Sequence, residues 1–131
     1  MSKDRSFWLI GISALATGFL FCLPAKAAQL IMFEQDYCEW CEQWNEDIGV
    51  VYAKTTEGKR APLRRVNIHD PMPDDISFVR VERFTPTFVL VERGAEVGRI
   101  RGYPGEDFFW PMLNQLLNTS SQHSGREAPK K

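Results

Sequence analysis

Two cysteines are spaced so that they can react with each other. Cys38 and Cys41 enclose Glu39 and Trp40 in a Cys-x-x-Cys motif. A thiol attacks a disulfide only as the thiolate, and the unpaired backbone N–H groups in the first turn of a helix favour that anion. A cysteine one turn further along lies on the same side and can close onto the first after a mixed disulfide forms. The pair therefore predicts thiol–disulfide exchange, in which Cys38 attacks and Cys41 resolves.

Other interpretations of this pair have less support. A zinc site needs about four ligands, and beyond the pair the only other Cys or His residues in 28–131 are His69 and His123. A purely structural disulfide would close so short a loop that it would remove little chain entropy. We therefore expect no metal and no cofactor other than a redox-active Cys38–Cys41 disulfide.

The N-terminal region predicts export. Lys3 and Arg5 form a basic start, residues 7–23 are apolar or small, and Ala25-Lys26-Ala27 provides the small residues that signal peptidase reads. As a helix, the apolar run would be about 26 Å long, which is shorter than the thickness of a bilayer core, about 30 Å. We predict a signal peptide over residues 1–27, with its retention as a membrane anchor as the alternative. The mature protein would then be periplasmic or secreted, in a compartment where disulfides persist.

The hydrophobic pattern predicts one α/β domain over residues 28–118. Strands are expected at Gln29–Phe33, Leu63–Ile68, Thr87–Glu92 and Glu96–Arg101. Helices are expected from Cys38 to Tyr52, from Asp74 to about Arg83, and from between Glu106 and Trp110 to Leu117, with a turn between Gly58 and Pro62. The order βαβαββα predicts a mixed four-stranded sheet with helices on both faces. A disordered polar tail is expected over residues 119–131.

Details of the first helix also follow from the pattern. Trp40, Trp44, Ile48 and Val51 recur at helical spacing and are predicted to form its apolar face. Asp36 is the expected N-cap.

The order of these features resembles the thioredoxin superfamily. A strand, Cys38-Glu39-Trp40-Cys41, a helix, and later Phe84-Thr85-Pro86-Thr87-Phe88-Val89-Leu90 carry the resemblance, which covers nearly all of residues 28–118. Within the superfamily the chain is similar to small exported members, including the thioredoxin-like proteins found with bacterial sulfur-oxidation (Sox) systems. The resemblance implies a thioredoxin-like fold and thiol–disulfide oxidoreductase activity.

The resemblance also implies a substrate-binding surface. Pro86 matches the family's cis-proline, which would turn the Thr85 backbone toward an incoming peptide so that the two can pair as strands. Gly102 matches a loop that lets the substrate approach closely. Trp40 has two interpretations, as an exposed contact for the substrate or as a core aromatic of the helix.

The sequence departs from the better-known thioredoxins in two places. Their Trp-Cys-Gly-Pro-Cys is here Tyr37-Cys38-Glu39-Trp40-Cys41. The buried carboxylate with which thioredoxins shuttle protons aligns with Met32, which cannot titrate. Glu34 lies two residues further on, hence on the same strand face, and is a candidate proton shuttle, or else a solvated residue near the strand end.

The charges near the motif predict the direction of electron flow. Strong oxidants of this kind hold the thiolate beside a cation, whereas Asp36, Glu39 and Glu42 are acidic. We therefore predict a reductase, with an isomerase or oxidase, or a non-catalytic binding or regulatory module, as alternatives.

Partners follow from the predicted location and from the charge. The expected substrates are disulfide-containing envelope proteins, and the expected electron donor is a membrane thiol reductant, because small-thiol reductants are cytoplasmic. A net charge of −1 without a basic stripe excludes nucleic acid. We expect a monomer that meets the membrane only through its N-terminal segment.

Overall fold

Four strands form a mixed sheet in the computed structural model, which describes residues 27–126, with side chains up to residue 122. They are β1 (Gln29–Glu34), β2 (Leu63–Asn67), β3 (Thr87–Glu92) and β4 (Ala95–Arg101), in the order β2-β1-β3-β4. β1 is parallel to β2 and antiparallel to β3, which pairs antiparallel with β4. The predicted thioredoxin-like α/β fold is thus confirmed. The predicted signal peptide, apart from Ala27, lies outside the described residues.

The first helix follows the cysteine motif and changes its pitch along its length. α1 (Glu39–Trp44) continues into a π-helical turn, Asn45–Gly49, and ends in the α-helical turn Val50–Tyr52. Its buried side chains are Cys41, Trp44, Ile48 and Tyr52, whereas Trp40 and Val51 are exposed. The predicted apolar face was therefore wrong at both ends. The buried residues still recur at spacings of three and four, with Cys41 in place of Trp40 and Tyr52 in place of Val51.

A short helix replaces the turn that was predicted before β2. α2 (Thr56–Arg60) is capped by Thr55, whose Oγ1 accepts a hydrogen bond from Gly58 N at 3.0 Å. Glycine is required at position 58, because a Cβ there would lie 1.9 Å from the carbonyl oxygen of Tyr52. The buried Tyr52 hydroxyl donates to the carbonyl of Ala61 at 2.8 Å. These contacts join the end of the first helix to the chain that enters β2.

The two faces of the sheet are covered differently. One face packs against the first and last helices, in a core that contains Leu30, Met32, Trp44, Ile48, Phe88, Leu90, Phe109 and Leu113. The other face, with Ile31, Phe33, Val66, Val89 and Val91, is covered by Ile76 and Val79.

On this second face, the helix predicted from Asp74 to about Arg83 was wrong. Only a 3₁₀ turn forms, Asp74–Ile76. Few apolar side chains of this segment face the sheet, and ion pairs hold it instead. Arg64 contacts Asp75 at 2.6 Å, and Glu82 contacts Arg101 at 2.5 Å.

The last helix is longer than the sequence analysis predicted. α3 (Glu106–Arg126) starts before Trp110 and includes Pro111. The expectation of a disordered tail from residue 119 was wrong for residues 119–126. Ser120 is buried and donates to Glu92 at 2.5 Å, and Arg60 donates to the carbonyl of Leu117 and to Ser121. Hydrogen bonds from polar side chains therefore hold the polar C-terminal end of α3 against the rest of the fold. Between residues 27 and 126, no helix is long and apolar enough to cross a membrane.

Candidate functional site

The cysteine pair lies where the chain passes from β1 into α1. Cys38 is the N-cap of α1, and its Sγ accepts a hydrogen bond from the backbone N–H of Cys41 at 3.2 Å. The predicted cap, Asp36, was therefore wrong. The sulfurs form a disulfide with an S–S distance of 2.07 Å and a Cα–Cα distance of 5.2 Å. The reactive sulfur itself thus occupies the acceptor position at the helix N-terminus.

A cavity of about 450 Å³ opens beside the disulfide. It is lined by Glu34, Gln35, Asp36, Tyr37, Cys38, Cys41, Glu42, Asn45 and Asn67. Cys38 is 7% exposed and Cys41 4% exposed, so both residues are buried. Within the described part of the chain, no three His, Cys, Asp or Glu residues are grouped to hold a metal ion.

Two exposed aromatic side chains lie at the cysteine motif, one before it and one between the cysteines. Tyr37, with a backbone φ of 59°, is fully exposed, and Trp40 is 58% exposed. Trp44, one turn further along, is fully buried. The structure thus favours the surface interpretation of Trp40, and its contact with a substrate stays a prediction.

The loop before β3 contains the predicted proline. The Thr85–Pro86 peptide bond is cis, and the carbonyl of Pro86 accepts a hydrogen bond from Gly102 N at 2.7 Å. Gly102 has a φ of 78°, a left-handed conformation that favours glycine, and no atom lies within 4 Å of the place where its Cβ would be. The structure therefore brings Pro86 and Gly102, both named from the sequence, into direct contact.

A glutamine that the sequence analysis missed joins this loop to the cysteine region. Gln35 directly follows β1 and lines the cavity beside Cys38. Its Nε2 donates to Thr85 Oγ1 at 2.9 Å, and its Oε1 lies 3.1 Å from His69 Nε2. Only its position between a buried strand and the Cys-x-x-Cys motif could have indicated this residue.

A cation that the sequence analysis did not place near the motif contacts two residues of the cavity wall. Arg65 pairs with Met32 in the β1–β2 register. Its guanidinium contacts Glu34 at 2.6 Å and Asn45 at 2.7 Å, and its Cζ lies 5.7 Å from the centre of the Trp44 ring. Glu34, the predicted proton shuttle, therefore lines the same cavity as Cys41 but is held by an ion pair.

Tyr103 connects the loop of Gly102 to the first helix. Its hydroxyl donates to Asp47 Oδ2 at 2.9 Å, and Asp47 belongs to the π-helical turn. Burial raises the pKa of Tyr103, and the hydrogen bond to Asp47 raises it further, since both favour the neutral phenol. The π turn thus supplies the partner that holds the loop.

The fold and this site identify the class of protein: the chain belongs to the thioredoxin superfamily. More particularly, it is similar to the periplasmic thioredoxin SoxS from Paracoccus pantotrophus. The two are 45% identical, the match covers 71% of this chain and 98% of that one, and the TM-score is 0.66. With the Cys38–Cys41 disulfide, this similarity supports thiol–disulfide oxidoreductase activity.

More distant structures share the fold. A thioredoxin from Thermus thermophilus is 21% identical, with 80% of this chain and 85% of that one covered and a TM-score of 0.51. The Malassezia sympodialis thioredoxin Mala s 13 is 20% identical, with 71% and 77% covered and a TM-score of 0.50. No family model and no curated protein matches the chain.

Proposed function

We propose that this protein reduces disulfides in partner proteins of the cell envelope. One observation carries the proposal: the sulfur of Cys38 caps a helix N-terminus and accepts the backbone N–H of Cys41. The Cys38 thiolate attacks one sulfur of the target disulfide, forms a mixed disulfide and releases the other sulfur as a thiolate. The Cys41 thiolate then attacks Cys38, which restores the internal disulfide and releases the reduced target.

The charges around the pair support the reducing direction. Asp36, Glu39 and Glu42 are exposed near the sulfurs, and the Arg65 cation is paired with Glu34. A strong oxidant stabilises its thiolate with a nearby unpaired positive charge. Its potential is about −120 mV, against about −270 mV for thioredoxin. We expect a potential on the reducing side of about −180 mV.

The proposed setting is outside the cytoplasm. The relative from Paracoccus pantotrophus is a periplasmic thioredoxin, and residues 1–27 are predicted to be a signal peptide or a retained anchor. The protein would act as a monomer on disulfide-containing envelope proteins. Reducing equivalents would come from a membrane thiol donor, because small-thiol reductants are cytoplasmic.

A trapping experiment tests this function. Cys41→Ala removes the resolving thiol, so we expect the reduced variant to accumulate mixed disulfides through Cys38 in the envelope of the source cell. The double variant Cys38→Ala/Cys41→Ala is the matched control and should capture nothing that a reductant releases. Binding that is equal in both variants would indicate a binding module instead of an enzyme. A potential above about −180 mV would indicate an oxidase or isomerase.

We also propose that Glu34 accepts the proton of Cys41 during the resolving step. Glu34 and Cys41 line the same cavity, while the buried Met32 at the family's carboxylate position has no proton to exchange. Glu34→Gln should slow disulfide reduction by at least about tenfold and change its pH profile, because general-base assistance is typically worth more than that. Glu42→Gln, in the wall of the same cavity, is the control. An unchanged pH profile in Glu34→Gln removes Glu34 from the mechanism.

A further inference from the structure

Gln35 holds together three segments that meet beside the cysteine pair. It follows β1, His69 follows β2, and Thr85 precedes β3. The Gln35 amide donates to Thr85 Oγ1 at 2.9 Å, and its Oε1, an acceptor, is 3.1 Å from His69 Nε2. His69 is restrained in turn, since its backbone N–H donates to Asn67 Oδ1 at 3.0 Å. Both ends of the Gln35 amide are therefore bonded, which orients it toward Thr85.

Gln35 also lines two cavities. The first, of about 450 Å³, contains the cysteine pair in its wall. The second, of about 500 Å³, is lined by Gln35, Ile68, His69, Val81, Glu82 and Arg83. Gln35 is the residue that the two linings share, so it lies beside both the cysteine pair and the second cavity.

Thr85 needs positioning because it lies just outside the sheet. The ladder of β3 begins at Thr87, which pairs with Phe33 and Arg101. The β3 pairing therefore does not extend to Thr85, whose backbone can pair with an added strand. The hydrogen bond from Gln35 restrains the Thr85 side chain. It therefore also limits the orientations that the Thr85 backbone can adopt toward a substrate.

We infer that Gln35 is a positioning residue, which presents the Thr85 backbone to the polypeptide of the disulfide substrate. This inference rests on the proposed function, because it concerns how the same site recognises its substrate. Gln35 acts on recognition of the peptide and not on the sulfur chemistry, so its effect should depend on whether the substrate has a peptide backbone.

A comparison of two substrates tests the inference. Bovine insulin carries its disulfides on a polypeptide, whereas 5,5′-dithiobis(2-nitrobenzoate) has no peptide backbone. Gln35→Met removes both hydrogen bonds and keeps the length of the side chain. We expect its kcat/KM for insulin to fall about fivefold, mainly through KM, as for the loss of one net hydrogen bond. The rate with the small disulfide and the Cys38–Cys41 potential should not change.

Variants of Thr85 provide an independent arm. Thr85→Val should lower kcat/KM for insulin by the same factor as Gln35→Met. Thr85→Ser keeps the hydroxyl acceptor and should retain nearly full activity on insulin. The double variant Gln35→Met/Thr85→Val should lose no more than either single variant, because both changes remove the same bond. Equal losses on both substrates, additive losses, or no loss on insulin would overturn the inference. A wild-type protein that reduces neither substrate would overturn the proposed function and the inference with it.

Discussion

At the scale of single residues, one sulfur has two roles. Cys38 Sγ is the N-cap acceptor of α1 and also the proposed nucleophile. A thiolate accepts a hydrogen bond more strongly than a thiol, so capping and ionisation support each other. The neighbouring carboxylates oppose ionisation, but they are exposed and screened by water. We therefore expect the backbone N–H to have the larger effect on Cys38.

This balance predicts the alkylation behaviour of the reduced protein. Cys38 should react with iodoacetamide faster than a free cysteine at pH 7, because a larger fraction of it is thiolate. Cys41 should react more slowly, because it lies inside α1 and its sulfur does not cap the helix. Rates measured against pH by mass spectrometry would show this, with Cys38→Ser to isolate Cys41. A Cys38 that is unreactive at neutral pH would contradict the proposed enzymatic function.

Some residues contact the site although they are distant from their partners in the sequence, and these were harder to predict. Cys38, Cys41, Pro86 and Gly102 were named because their residue types and spacing have direct chemical meaning. Gln35 was missed because its hydrogen bond to Thr85 spans 50 positions of the chain. No local pattern indicates that a polar residue after one strand will meet a loop before another.

At the scale of elements, the strands agreed with prediction and the helices did so less well. β1 and β3 are short runs of β-branched and apolar residues that are buried on both faces, a property that the local sequence expresses directly. The π-helical turn in the first helix makes a contact with a distant part of the chain, between Asp47 and Tyr103. The extension of α3 beyond residue 118 likewise depends on partners in β3 and α2. Such elements are decided by packing, so local propensity alone misplaces them.

The extension of α3 predicts a loss of stability on truncation. A chain that ends at Asn118 lacks Ser120 and Ser121, and with them the contacts to Glu92 and Arg60. We expect the free energy of unfolding to fall by about 1–3 kcal/mol, as for the loss of buried hydrogen-bond partners. Urea denaturation would measure it, with a chain that ends at Gln122 as the control. Equal stability of the two chains would show that this helix end contributes nothing.

At the scale of the whole molecule, two buried tyrosines join separate parts of the fold. Tyr52 connects the first helix to the chain that enters β2, and Tyr103 connects the loop after β4 to the π turn. Burial raises the pKa of Tyr52, with a smaller contribution from the charge of Glu57. The folded protein therefore keeps phenolic protons that the unfolded chain releases near pH 10.

The sign of this difference predicts alkaline destabilisation. The contribution to stability is complete below about pH 10 and is lost as the pH rises above it, by up to about 1.4 kcal/mol per pH unit for each tyrosine. Urea denaturation between pH 8 and pH 11.5, together with the ultraviolet absorbance of tyrosinate, would measure the loss. Tyr52→Phe should reduce the pH dependence, whereas Tyr37→Phe, at a fully exposed position, should not. The same pH dependence in all three proteins would contradict this role.

The sequence by itself determined the reacting pair, the strands and the family, because a motif and a hydrophobic period are local properties of the chain. Only the tertiary structure decided what surrounds the pair. It placed Arg65 against Glu34, Gln35 against Thr85 and Ser120 against Glu92. Each of these contacts joins residues that are far apart in the chain. A polar side chain finds such a partner only after the sheet has brought the two segments together.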